Sequence, residues 1–173
     1  VNDRSANRNI VIVGFMGTGK STVSQLLAKR LGWTRIDTDE EIVRRAGKSI
    51  PDIFASDGEQ MFRDMESRVL RELLEESGRV VATGGGAVLR EENRRSMRAG
   101  GWVVALAADK PSLLARVAAG GDAAGRPLLA GDAEARIDAL LAARRHAYDF
   151  AHATVDTSRL SPEEVAELLL RWM

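Results

Sequence analysis

Near the start of the chain, Gly14-Phe15-Met16-Gly17-Thr18-Gly19-Lys20-Ser21 sets closely spaced glycines before a lysine and a hydroxyl residue. This is the Walker A pattern, in which glycines let consecutive backbone N–H groups wrap a phosphate chain at the N-terminus of a helix. Gly17, Thr18, Gly19, Lys20, Ser21 and Thr22 are then the expected phosphate cradle. Lys20 would reach the β- and γ-phosphates and the Ser21 hydroxyl would ligate Mg²⁺, so ATP with one Mg²⁺ ion is the expected co-substrate. A second group is Asp37-Thr38-Asp39. Two acids at this spacing can cap and charge the start of a helix, or can serve chemistry at a phosphate site; the two roles are compatible.

The elements needed to position these residues are legible in the apolar pattern. Asn9 to Val13 is a β-branched run entering the glycine-rich turn, and Lys20 to Leu31 follows with Val23, Leu26, Leu27 and Leu31 at helical spacing. Trp33 to Ile36 reads as a second strand, so Asp37 and Asp39 fall at its carboxyl end, where ligands bind in parallel sheets. A helix from Asp39 stops at Gly47, a short one lies around Pro51 to Ala55, and Glu59 to Glu76 is the longest. Its expected buried stripe is Met61, Met65, Val69, Leu70, Leu73 and Leu74. Arg79 to Ala82, Trp102 to Ala107 and Ala153 to Asp156 complete five strands. Between them lie helices at Glu91 to Arg98, Lys110 to Ala118 and Ala133 to Ala147, and Ser161 caps a last one to Arg171. Alternating strands and helices imply an α/β fold with a parallel sheet covered on both faces. Gly120 to Gly131 lacks periodicity and reads as a mobile lid.

Composition narrows the chemistry. The 173 residues suit a single domain spanning 1–173. With 25 basic and 25 acidic residues the net charge is zero, and no segment gathers the positive face that nucleic-acid binding requires. There is no cysteine, and the two histidines, His146 and His152, lack ligand spacing, so any metal must be held by oxygen. The apolar run Trp102 to Ala108 falls far short of the ~20 residues that span a bilayer. Polar Asn2, Asp3 and Arg4 do not begin a signal peptide, and a cytoplasmic protein without membrane association is expected.

Taken together, these motifs resemble the shikimate kinases. The pattern runs through the phosphate loop, Asp37-Thr38-Asp39, Asp57-Gly58-Glu59-Gln60 leading to Phe62-Arg63, Gly84-Gly85-Gly86-Ala87-Val88 and Arg126-Pro127-Leu128-Leu129, with Arg144 four residues before Tyr148. The resemblance implies a three-layer P-loop kinase fold with a five-stranded parallel sheet and a lid over about 120–131. It implies ATP-dependent phosphorylation of the 3-hydroxyl of shikimate, a step in chorismate and aromatic amino-acid biosynthesis; with no repeating seam or coiled-coil pattern in the sequence, a monomer is the default expectation. Lys20, Asp37, Asp39 and Arg126 would be the catalytic residues, with Ser21 and Asp37 serving Mg²⁺, the latter through water. Asp39 would hold the acceptor hydroxyls, Arg63 and Arg144 the carboxylate, with Gly84, Gly85 and Gly86 nearby. Arg116 would stack on adenine, with Arg126, Arg159 and Pro162 also on the nucleotide. His146 stands where the family often has proline, and spacing to Tyr148 favours Arg144 over Arg145. Two other readings are a related kinase such as gluconate kinase, against which the paired arginines argue, and a non-catalytic binding module, against which the intact Lys20, Ser21, Asp37, Asp39 and Arg126 argue.

Overall fold

The computed structural model describes residues 9–119 and 133–173. Five strands form one parallel sheet: β1 (Asn9–Gly14), β2 (Thr34–Asp37), β3 (Arg79–Ala82), β4 (Trp102–Ala107) and β5 (Ala153–Asp156), in the order β2-β3-β1-β4-β5. The helices are α1 (Lys20–Leu31), α2 (Thr38–Ala46), α3 (Ile50–Asp57), α4 (Glu59–Glu75), α5 (Glu91–Gly100), α6 (Lys110–Ala118), α7 (Ala133–Ala143) and α8 (Pro162–Trp172). The lid expected at 120–131, including Arg126, lies outside the described residues. No helix among the described residues is long and apolar enough to cross a membrane.

Period-two side-chain alternation divides the core between the two sheet faces. Val11, Val13, Val81, Val103 and Ala105 face a layer built from α2 to α5, through Ile42, Ile53, Val69, Leu70, Leu73, Leu74 and Met97. Ile10, Ile12, Val80, Val104 and Leu106 face the opposite layer, Val23, Leu27 and Ala28 of α1 with Val165, Ala166 and Leu169 of α8. Each fully buried aliphatic side chain contributes about 1.5–3 kcal/mol, so a one-residue slip that exchanged the faces would be costly. The resulting register aligns Ile12 and Asp37 with Ala82, and Gly14 with Leu106. The carboxyl ends of the strands thus share one edge of the sheet, with the phosphate loop leaving its centre.

Two elements differ from expectation. Helix α4 buries Phe62, Glu66, Ser67, Val69, Leu70, Leu73 and Leu74, while Met61 is 49% exposed. Its inward face is rotated by one residue over the first turns, which sends a glutamate into the interior. Helix α7 stops at Ala143 rather than 147. The following N–H groups of Arg145 and Ala147 bond back only three residues, to Ala142 and Arg144 carbonyls, and the tighter turns end the helix.

Candidate active site

The phosphate loop joins β1 to α1 through backbone that a side chain would obstruct. A Cβ on Gly14 would stand 2.5 Å from the Leu106 carbonyl oxygen, and Gly19, at φ 95°, occupies the left-handed region as the N-cap of α1. No side chain caps that helix, so its first N–H groups face the cleft beside Ser21 and Thr22. The Thr18 hydroxyl donates to the Phe15 carbonyl at 2.7 Å, and the buried Lys20 ammonium donates to the same oxygen at 2.9 Å. The cleft has a volume of about 250 Å³ and is lined by Gly17 through Val23, Asp37, Thr83, Arg116, Thr157, Leu160, Pro162 and Val165.

Its far wall is clamped to the loop from β5. Arg116 donates through Nη1 to the Gly17 carbonyl and the Thr157 hydroxyl, both at 3.0 Å, and through Nη2 to the Thr157 carbonyl at 2.7 Å. The Thr157 hydroxyl lies 3.1 Å from the Thr18 carbonyl. Thr157 is therefore a wall of this cleft that sequence reasoning missed; its only signal is its place one residue beyond a strand. Pro162 lines the cleft as expected, whereas Arg159 is exposed and is not among the lining residues.

Asp37 ends β2 and is the N-cap of α2. Its Oδ1 accepts from the N–H groups of Asp39 and Glu40 at 2.9 and 3.3 Å, and its Oδ2 lies 3.5 Å from Arg35. The cap turns Asp39 into a second, adjoining cleft of about 580 Å³, which also holds Arg63, Glu66, Gly84, Gly85, Gly86, Phe54, Phe62 and Arg144. The glycines are there to be overlain. A Cβ on Gly84 would meet Asp39 Oδ1 at 2.6 Å, and one on Gly86 would meet both terminal nitrogens of Arg63 at 2.4 and 2.5 Å. The Gly84 N–H donates to the Thr38 hydroxyl at 3.1 Å, locking the start of α2 over the end of β3.

Arg63 is held from two sides. Its Nη1 donates to Glu66 Oε1 at 2.9 Å, and its Nη2 lies 3.5 Å from Glu59. Glu66 is 1% exposed. Burial pushes its carboxyl up to about 7; the Arg63 and Arg90 guanidinium groups oppose that rise, and the Asp39 carboxylate reinforces it. Across the cleft Arg144 is buried, 5.8 Å from the Phe15 ring centre, whereas Arg145 is exposed. Burial also raises the pKa of the Tyr148 phenol, against the opposing effect of Arg144 beside it. The Arg144 N–H still bonds four residues back to the Leu140 carbonyl at 3.0 Å, so the last helical turn of α7 directs this side chain into the cleft. Glu66 was missed by sequence reasoning although it left a signal: a lone charge at the core register between Phe62 and Leu70.

A parallel sheet whose central strand delivers a phosphate loop to a cleft lined by Asp37, with Asp39 just beyond the same strand end in an adjoining cleft, defines a P-loop small-molecule kinase. The family model described as shikimate kinase matches residues 16–173. A shikimate kinase of Geobacter sulfurreducens is 49% identical over 162 residues, covering 93% of this chain and 88% of its own. One from Desulforudis audaxviator is 45% identical over 166 residues, covering 96% and 86%. The structure of shikimate kinase from Acinetobacter baumannii in complex with shikimate superposes with a TM-score of 0.88 at 37% identity, over 96% of this chain and 93% of that one. The chain belongs to the shikimate kinase family.

Proposed function

We propose that this chain transfers the terminal phosphoryl group of ATP to the 3-hydroxyl of shikimate, a step towards chorismate and the aromatic amino acids, acting as a cytoplasmic monomer. The observation that carries the reading is the pairing of two guanidinium groups, Arg63 and Arg144, in one cleft with Asp39, next to the cleft of the phosphate loop. A carboxylate gains planar, charge-assisted hydrogen bonds from guanidinium groups, whereas a neutral polyol offers only single hydroxyl acceptors without the matching charge.

The backbone N–H groups of Gly17 to Thr22 hold the phosphates, and Lys20 exchanges its bond to the Phe15 carbonyl for the β- and γ-phosphates. The Ser21 hydroxyl and the Asp37 carboxylate, both oxygen donors lining this cleft, suit Mg²⁺. Among the described residues no group of three or more acids or histidines could cage a metal, which agrees with an ion held largely by phosphates and water. Bound there with ATP, one Mg²⁺ supplies charge neutralisation to the phosphates. Asp39 orients the acceptor hydroxyl and receives its proton as the oxygen attacks. Arg63 and Arg144 fix the ring by its carboxylate, and the N–H groups of Gly85 and Gly86 assist. Arg116 flanks the adenine, with Pro162 on the same wall. Arg126 is assigned to the transferring phosphoryl group by its place in the Arg-Pro-Leu-Leu motif, and Arg159 to the outer nucleotide site by sequence alone.

A coupled assay of ADP release with shikimate, gluconate and nucleoside monophosphates tests the reading. Turnover is expected with shikimate, and comparable turnover with gluconate or a nucleoside monophosphate would overturn it.

A further inference from the structure

Glu66 has no part in the transfer just described, yet it is the most deeply buried acid of the acceptor cleft. It is 1% exposed, and only one of its oxygens is satisfied: Oε1 accepts from Arg63, whereas buried Oε2 has no hydrogen-bond partner among the described residues. Its one direct cation is oversubscribed, since the Arg63 guanidinium also faces Glu59 at 3.5 Å and stands over Gly86 in the cleft where a substrate carboxylate would dock. The other charges facing Glu66 are Asp39 from α2 and Arg90 from the segment before α5, and Arg144 lines the same cleft. Arg90 is itself committed to Asp64 at 2.8 Å, with Ser67 and Glu92 at 3.3 and 3.4 Å.

An anion arriving on Arg63 therefore places a third negative charge next to Asp39 and Glu66, inside a wall of low polarity. Acids crowded into one buried cleft cannot all remain ionised at little cost when a further anion joins them. Asp39 must stay ionised to accept the hydroxyl proton. Glu66 is the more deeply buried of the two, and its Oε2, which has no hydrogen-bond partner among the described residues, is an oxygen on which a proton can sit.

We infer that Glu66 is a positioning residue that takes up one proton as the substrate carboxylate docks on Arg63, so that shikimate binding is coupled to protonation. This inference rests on the function proposed above. The proton comes from solvent and bonds to Oε2, while Oε1 continues to accept from Arg63; it returns to solvent when the ligand leaves. Burial has already raised Glu66 to about 7, and the docked carboxylate pushes it in the same direction as Asp39 does. Below about pH 7 the proton is in place before binding. Above that value it must be acquired on binding, and affinity falls by up to about tenfold per pH unit until the bound-state pKa is passed.

The test is calorimetric titration of shikimate into the full chain at pH near 8, in buffers of different ionisation enthalpy. The wild type is expected to take up a large fraction of one proton, and its Kd to rise with pH above about 7. Glu66→Gln keeps an oxygen for Arg63 but has no titrating carboxyl; it should show almost no uptake and a flat Kd between pH 7 and 8.5. Groups that titrate elsewhere, such as His152, contribute equally to both proteins and cancel in the comparison. Wild-type binding without proton uptake overturns the inference with no variant required, and so does equal uptake in Glu66→Gln. If shikimate neither binds nor turns over, it is the proposed function that fails.

Discussion

Replacing Gly86 by alanine would test whether the glycine cluster exists to seat Arg63. Gly86 has φ −92° and ψ −3°, a conformation alanine adopts freely, so the backbone has no reason to resist the change. The new methyl would stand 2.4 and 2.5 Å from the Arg63 terminal nitrogens, well inside contact distance. What must yield is the end of a flexible side chain rather than the sheet. Arg63 should leave its seat, and the substrate carboxylate should lose the charged hydrogen bonds made there, about 1.5–3 kcal/mol or roughly 10–150-fold in Kd. The same displacement removes the 2.9 Å partner of Glu66, and breaking a buried pair typically costs about 3–5 kcal/mol when the stranded charge cannot neutralise. Glu66 can neutralise, so the stability loss in Gly86→Ala should be small near pH 5 and grow towards pH 8. Calorimetry with shikimate and thermal melts across that range measure both effects. Wild-type affinity in Gly86→Ala, or a stability loss independent of pH, would refute the reasoning.

Arg144→Ala should weaken shikimate binding by a similar 10–150-fold while Arg145→Ala changes it little, because only the former lines the cleft; titrations with shikimate compare them. Asp39→Asn preserves shape but cannot receive the hydroxyl proton, so kcat should fall by about 10²–10⁴ with a lesser change in KM, as steady-state kinetics would show. Thr157→Val removes a hydroxyl shared by Arg116 and the Thr18 carbonyl, and should raise the ATP KM by about fivefold, the scale of one neutral hydrogen bond, without altering shikimate affinity. Glu66 has a folded-state pKa of about 7 against 4.5 without burial. Its contribution to stability is therefore complete below about pH 4.5 and is lost as pH rises through about 7, on the order of 3 kcal/mol. Melts of Glu66→Gln against wild type should diverge over that window.

The strands and the phosphate loop were legible because alternating β-branched residues and a strict glycine spacing are local signals. The role of Asp37 as a cap followed from its type and position, and it is the cap that sets Asp39 over Gly84. Glu66 was less accessible. The stripe drawn through Met61 and Met65 was the more hydrophobic choice, but α4 buries Phe62 and pays for Glu66 with Arg63, a trade between residues three apart whose reason lies in Gly86, on another element. The inward place of Arg144 was legible in its spacing to Tyr148, whereas the early end of α7 was not: nothing in Ala142 to Ala147 marks where the hydrogen bonding tightens. Thr157 could not have been found locally, since its partners at Thr18 and Arg116 lie 139 and 41 residues away.

That last separation bears on how the protein matures during synthesis. The glycine-rich loop spans Gly14 to Ser21, but its carbonyls at Gly17 and Thr18 are anchored by Arg116 and Thr157, and Thr157 leaves the ribosome long afterwards. A nascent chain stalled before β5 could form β1 to β4 and pack both aliphatic layers in part, yet its phosphate loop would lack one wall. Such wide sequence separation slows folding, because loop closure comes before the contact that rewards it. ATP would then recognise the chain only once Thr157 has joined the fold, and nucleotide capture would follow the assembly of this wall rather than guide it.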